Sequence, residues 1–448
     1  MIRKLYQVCS FIVAFGCFAL SNEAKAYFEN VHDFWLDNGL RVIVIENHKA
    51  PIIKQMLFYK TGSIDEKTGK GGLAHLLEHL MFRGTKKISG QQFNDLMERN
   101  GAISNAFTSQ DVTAYHQLLD ISKLDIAMMA EADRMANLQI KDDDFEAERQ
   151  IVFQERKQRV DNNPSAKFYE NLSKVLWQDH PYSKQVTGED VEIMELSKKD
   201  ASDFYSTYYV PNNAVLVLSG DIDVGLAKKL AQKYYGALKS HKQADDLKLP
   251  LLPKGYRASI EMSLPDVKLG RAVMLYAAPS FNLDKDKVYA LEVLAEYMGG
   301  DKNSPLYQKL VMLDKKALSA DVNYNPISRS YGIFEMGVVP VDNSEKNMAF
   351  WIKRAWDYAI QKLDEEQLEM TKSKLLADLT YVEDNPAGIA SFVGYMAATK
   401  VDLQELDRYE SNIKRVSLDD VKAVAEYLQN VSPQAFGVLY PEKEGTNE

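Results

Sequence analysis

Two histidines and a glutamate fall within five positions of this chain, His75, Glu78 and His79 in GLAHLLEHLMFRGT, although only 7 of its 448 residues are histidine. On a helix, positions four apart face the same way, so His75 and His79 can offer two imidazoles to one ion. Glu78 lies beside that edge, within reach of a water on the ion without being a ligand. A catalytic zinc site takes three protein ligands and keeps one position open, so a third ligand has to come from elsewhere. The acidic stretch DDDFEAERQIVFQERKQRV offers Glu148 and Glu155, seven residues apart and so on one helix face, two turns from each other. Either can approach the histidines, and the other can hold a ligand imidazole from behind. The chemistry of such a set is hydrolysis: zinc polarises a carbonyl and brings the pKa of its water to about 7, and Glu78 moves the proton. Short patterns of helix-tolerant residues also arise by chance, and charged helix faces are usually just solvated. Neither the pentad nor the glutamate pair decides the matter alone.

The elements around these residues are legible from periodicity. FWLDNGLRVIVIE reads as a hairpin around Asp-Asn-Gly, and PIIKQMLFYKTGS as a further strand. GGLAHLLEHLMF reads as a helix with Leu73, Leu76, Leu77 and Leu80 on one side. ISNAFTSQDVTAYHQLL alternates like paired strands. SKLDIAMMAEADRMANL and the acidic stretch read as helices, the latter opening with acids as a helix N-terminus prefers. The chain then repeats itself. A Ser-x-x-Asp capping box, a helix, a proline and an apolar strand begin at Ser197 and again at Ser417, an offset of 220 residues. LAHLLEH lies over ALEVLAE (290–296), where His75 meets Glu292, Glu78 meets Ala295 and His79 meets Glu296. The second half therefore has the helix without the chemistry. This predicts two α+β domains of similar design, 27–240 and 255–448, joined by a polar, proline-containing linker at 241–254.

Residues 1–26 read as a secretory signal peptide: a basic MIRK, an apolar run of sixteen residues and a small-x-small end at Ala24-Lys25-Ala26. The run is short for a spanning helix, which needs about 20 apolar residues, and no later stretch is long and apolar enough to span. The short signal, bacterial in style, points to export and to the periplasm. Both cysteines, Cys9 and Cys17, lie in this leader, so the mature chain has no disulfide and no thiolate ligand. Net charge is −10, and removing Arg3, Lys4, Lys25 and Glu23 with the leader leaves −12, which argues against a nucleic-acid partner. His116, in VTAYHQL, reads as a strand histidine rather than a ligand, and His180, in DHPY, as a turn residue. Arg329 and Tyr331, in SRSYGIFEMGV, are candidates to approach a substrate, although Arg-x-Tyr on a strand is common.

The H-x-x-E-H order is the inverse of H-E-x-x-H, and GLAHLLEHLMFRGT resembles the zinc helix of the pitrilysin and mitochondrial processing peptidase (insulinase-like) family almost throughout. The resemblance implies that the third zinc ligand is Glu155, 76 positions after His79, with Glu148 behind the ligands. ISNAFTSQDVTAY resembles the family's substrate-pairing edge strand, with Asn105 and Ala106 at the matching positions; HPYSKQVTGE and YYVPNNAVLVLSGD are similar to further landmarks. The implied fold is α+β, two homologous domains, each a largely antiparallel sheet with helices packed on one side. The implied activity is that of a zinc endopeptidase, one Zn2+ per chain, cleaving peptides or unfolded polypeptide segments with Glu78 as base. Members of this size usually pair with a second subunit around a chamber, and the substrate adds to the edge near Asn105 as a strand. One departure stands out. Active members often carry an Arg and, seven residues later, a Tyr in the second half, where SPLYQKLVMLDKKAL gives Val311 and Leu318. A related subunit supplying that pair in a heterodimer is the favoured expectation, with a homodimer otherwise. A weakly active or non-catalytic peptide-binding subunit of the same fold is the alternative.

Overall fold

A computed structural model describes residues 30–241, 247–342, 347–383 and 385–442. The leader at 1–26, and residues 242–246 of the linker, lie outside the described residues. Strands β1 (Val31–Trp35), β2 (Arg41–Glu46), β3 (Ile52–Tyr59), β4 (Ile103–Thr108), β5 (Thr113–Asp120) and β6 (Ala214–Gly220) form one sheet in the order β1-β2-β6-β3-β5-β4. Strands β7 (Arg257–Leu264), β8 (Arg271–Ala278), β9 (Ala317–Asn325), β10 (Gly332–Pro340) and β11 (Gln434–Pro441) form a second in the order β7-β11-β8-β10-β9. Each sheet is antiparallel but for one parallel pair, β2 with β6 and β11 with β7. The repeat read from Ser197 and Ser417 thus ends in the strand that makes the parallel pair in each half. Both serines cap their helices in a reciprocal box, accepting from Asp200 and Asp420 main-chain N–H groups.

The fold class is α+β. One face of the first sheet, carrying Val42, Val44, Ile53, Leu57 and Tyr59, packs on helices of its own half, including Leu73, Leu76, Leu77 and Leu80. The matching face of the second sheet packs on the helix Lys285–Gly299 and its neighbours. The opposite faces are not left open. The helix Pro386–Ala398, from the second half, covers Ile43, Met56, Phe58, Val215 and Val217 of the first sheet. The helix Pro164–Trp177, from the first half, covers Val273, Leu275 and Ala277 of the second. This exchange explains why β2 and β6 read as continuous apolar runs instead of alternating, since they are buried on both faces. Gly394 permits the close approach, because a Cβ there would meet the Phe58 ring at 2.1 Å. Leu76 and Leu77 are fully buried, and truncating either to alanine would cost about 2–5 kcal/mol. No helix among the described residues is long and apolar enough to cross a membrane.

Candidate active site

The helix Leu73–Leu80 starts abruptly. Its N-cap, Gly72, has φ 84°, a left-handed conformation that favours glycine, and a Cβ there would crowd the Thr187 carbonyl at 3.1 Å. Glycine offers no capping side chain, so the cap comes from elsewhere. The buried carboxylate of Glu66 accepts from the N–H of Gly72 at 3.2 Å and of Ala74 at 2.8 Å. The leucines of the helix face the core and turn His75, Glu78 and His79 towards the helix Asp142–Arg156 and strand β4. That acidic helix buries Phe145, Glu148, Val152 and Arg156, one face at helical spacing. Its far end is anchored by the Arg156 fork on Glu170, at 2.6 and 3.0 Å.

Three of the residues singled out in the sequence converge. His75 Nε2 lies 3.6 Å and His79 Nε2 3.9 Å from Glu155 Oε2, and donor atoms of all three lie within 4.8 Å of one another. Donors about 2.1 Å from a tetrahedral ion sit roughly 3.4 Å apart, so the set needs only a small contraction to close on one. Glu155 Oε2 is buried and accepts no hydrogen bond, and the Arg159 guanidinium lies 3.4 Å from it. Two imidazoles and a carboxylate oxygen that faces both of them without a hydrogen bond fit a divalent cation of zinc type. No other group of three such ligands is found among the described residues. His79 Nδ1 lies 2.8 Å from Glu148 Oε2, and Arg83 holds the other Glu148 oxygen. Glu148 thus fixes the ring from behind and points Nε2 at the other donors.

The electrostatics agree with that division. Burial, with the nearby charges of His79 and Arg159, pushes His75 down to about 3, so its imidazole stays neutral and able to ligate. Burial also works to lower His79, but the Glu148 hydrogen bond and the Glu148, Glu155 and Glu78 charges outweigh it and raise the pKa. Those carboxylates are negative charge that a cation would balance. Burial raises Glu78 above the usual carboxylate range, and a hydrogen bond from Thr108 Oγ1 at 2.5 Å opposes the rise. Thr108 is the last residue of β4, which stands at the end of its sheet with one side unpaired. Asn105 and Ala106 lie on that strand, opposite His116 and Tyr115 of β5, and Asn105 is exposed.

Decisive for kinship are the matches along the chain. The family model described as insulinase (peptidase family M16) matches residues 41–190, and one described as peptidase M16 inactive domain matches 195–375. The zinc protease PqqE of Helicobacter pylori is 30% identical over 92% of this chain and 93% of its own length. The chain belongs to the insulinase-like M16 family. A mitochondrial-processing peptidase subunit beta from Lentinula edodes is 25% identical over 90% of this chain and 89% of its own. The crystal structure of a protease from Helicobacter pylori superposes with a TM-score of 0.83 at 27% identity, covering 92% of this chain and 99% of that one. Relatives named as zinc proteases thus cover both halves of this M16 chain.

The remaining candidates lie elsewhere. His116 Nδ1 sits 2.6 Å from the ammonium of Lys54, and burial lowers its pKa to about 4. His180 is buried and caps a turn by accepting from the N–H of Tyr182 at 3.1 Å. Tyr331 packs on Trp177 and His180, with its hydroxyl accepting from the N–H of Leu252 at 3.0 Å. Arg329 is committed to Asp65 at 2.8 Å. Their reading as substrate contacts gives way to structural partners. Val311 packs against the second core, and Leu318 stands half exposed on β9. Sequence reasoning missed Glu66, Arg83 and Thr108. None of them carried a spacing signal: Arg83 follows His79 by four residues but lies past the helix end at Leu80, in the turn that leads out of it.

Proposed function

We propose that the chain is a zinc-dependent endopeptidase acting on peptides or unfolded polypeptide segments. The observation that carries this reading is the convergence of His75, His79 and Glu155 beside Glu78. His75, His79 and Glu155 would hold one zinc per chain, which supplies Lewis acidity to the scissile carbonyl and to the attacking water. Glu78 takes the proton of that water and passes it to the leaving amine, a role that a raised pKa suits. Thr108 aims the carboxylate, and Glu148 keeps His79 in the ligating tautomer. The unpaired side of β4 around Asn105 and Ala106 receives the peptide as an added strand, which reads backbone and tolerates many side chains. We place the protein in the periplasm on the strength of its leader.

Val311 and Leu318 support a division of labour in which a related subunit contributes the missing Arg and Tyr. The same two positions support the alternative of a weakly active, peptide-binding subunit. Glu78→Gln separates these readings. Zinc, counted by elemental analysis beside a His75→Ala control, should stay near one per chain in Glu78→Gln and vanish in the control. Cleavage of a quenched peptide, by the chain alone and mixed with a candidate partner subunit, should fall about 10²–10⁴-fold in Glu78→Gln. Equal rates for parent and variant would refute the general-base role, and absent zinc in the parent would leave the binding-subunit reading.

A further inference from the structure

Arg329 belongs to the second half of the chain, yet its side chain is buried against the first. It sits between β9 and β10, and its guanidinium donates to Asp65 at 2.8 Å, with only 11% and 6% of the two side chains exposed. Its main-chain N–H donates to Asp111 at 3.3 Å. The next N–H, of Ser330, donates to the Tyr182 hydroxyl at 3.0 Å, and that hydroxyl donates to Asp111, 2.9 and 3.0 Å from its two oxygens. Desolvating a guanidinium is costly, and the Asp65 ion pair with the nearby Asp111 charge offsets that cost.

What the two aspartates hold gives the cluster a purpose. Asp65 is followed by Glu66, whose carboxylate caps the helix carrying His75, Glu78 and His79. Asp111 lies in the turn that follows β4, three residues after Thr108, the donor to Glu78. The two loops are stitched together by the Ser63 N–H to the Ser109 carbonyl at 3.2 Å and the Ile64 N–H to the Gln110 carbonyl at 3.1 Å. Arg329 therefore bridges the entry of the HLLEH helix and the exit of the edge strand, the two elements that set where Glu78 points.

We propose that Arg329 is a positioning residue for the reaction proposed above, supplied by the half in which no metal-ligand group is found among the described residues. It rests on the peptidase reading only for its catalytic consequence; the lock itself is a property of the fold. The test uses the full mature chain as Arg329→Met, with Arg329→Lys as the conservative variant. With zinc loading equal to the parent's, Arg329→Met should lose tenfold or more in kcat with KM within twofold, and Arg329→Lys should recover most of the loss. Amide hydrogen exchange at Gly72, Ala74 and 109–112 should quicken tenfold or more in Arg329→Met, while β8 and β11 keep their protection. Unchanged kcat together with unchanged exchange overturns the proposal. If the parent cleaves nothing, the peptidase reading fails, and exchange alone judges the lock, unchanged protection again overturning it. Should Arg329→Met not fold, Arg329→Lys and Asp65→Asn are read by the same exchange, and parental protection in both overturns it.

Discussion

The helices Leu73–Leu80 and Lys285–Gly299 hold equivalent places, each packed against the end strand of its sheet, β4 or β9. At the positions of His75 and His79 the second helix carries Glu292 and Glu296, and at the position of Glu78 it carries Ala295. Charge there is neutralised within the protein. Lys374 pairs with Glu296 at 2.7 Å. Burial raises Glu292 to about 7, against a hydrogen bond from Tyr409. Around them lies a cavity of about 140 Å³, lined also by Phe281, Val322, Ile327, Phe392 and Met396. In the first half two imidazoles and a carboxylate face one another; Arg159 lies 3.4 Å from the Glu155 oxygen and Arg83 holds Glu148, so only the imidazoles set this copy's donor set apart. The scaffold is common to both, so the chemistry lies in a handful of side chains grafted onto one copy.

Making the first copy resemble the second should have the largest effect. His75→Glu replaces a neutral, buried donor by an acid that brings a charge into a site already holding Glu78, Glu148 and Glu155. Zinc affinity should fall by more than the 10–100-fold typical of losing a supporting partner, and cleavage with it. Dye-competition titration measures the first. Near-parental affinity would mean that imidazoles are not what separates the two copies. Glu148→Gln is milder: it removes the charge behind His79 but keeps an acceptor. Zinc should bind about 10–100-fold more weakly, with unaltered melting in the presence of chelator. Unchanged affinity would show that the packing of the His79 ring, and not Glu148, orients the ligand.

The parts of the site visible in sequence are those fixed by local geometry. His75, Glu78 and His79 are set by a single helical turn, and the seven-residue spacing of Glu148 and Glu155 by two. The assignment of Glu155 to the ion came through family resemblance, since spacing alone left either glutamate open. Thr108 and Glu66 were not legible, and Arg329 was singled out only as a substrate contact, because each acts through a partner that only the fold brings near. Thr108 is 30 residues from Glu78, and Arg329 is 264 from Asp65. The duplicated α+β design was readable from the two capping boxes. The exchange of Pro164–Trp177 and Pro386–Ala398 between the sheets was not, since an amphipathic helix states that it will be covered but not by which sheet.

The smallest effect tests the second copy. Folding raises the pKa of Glu292 above its unfolded value of 4.5, to about 7, through burial beside apolar groups. The protonated form is thus the one folding favours. Its contribution is complete below about pH 4.5 and is lost as pH rises through about 7, a swing on the order of 3 kcal/mol at most. Glu292→Gln stays neutral at every pH and can still accept from Tyr409. It should match the parent in denaturant midpoint at pH 4.5 to 5 and exceed it at pH 8, with zinc binding at the first site unaltered. Parallel midpoints across that range would mean that Glu292 is ionised and compensated inside the cavity. The second copy would then hold a usable charge after all, and the contrast between the two helices would rest on the missing imidazoles and on Ala295 alone.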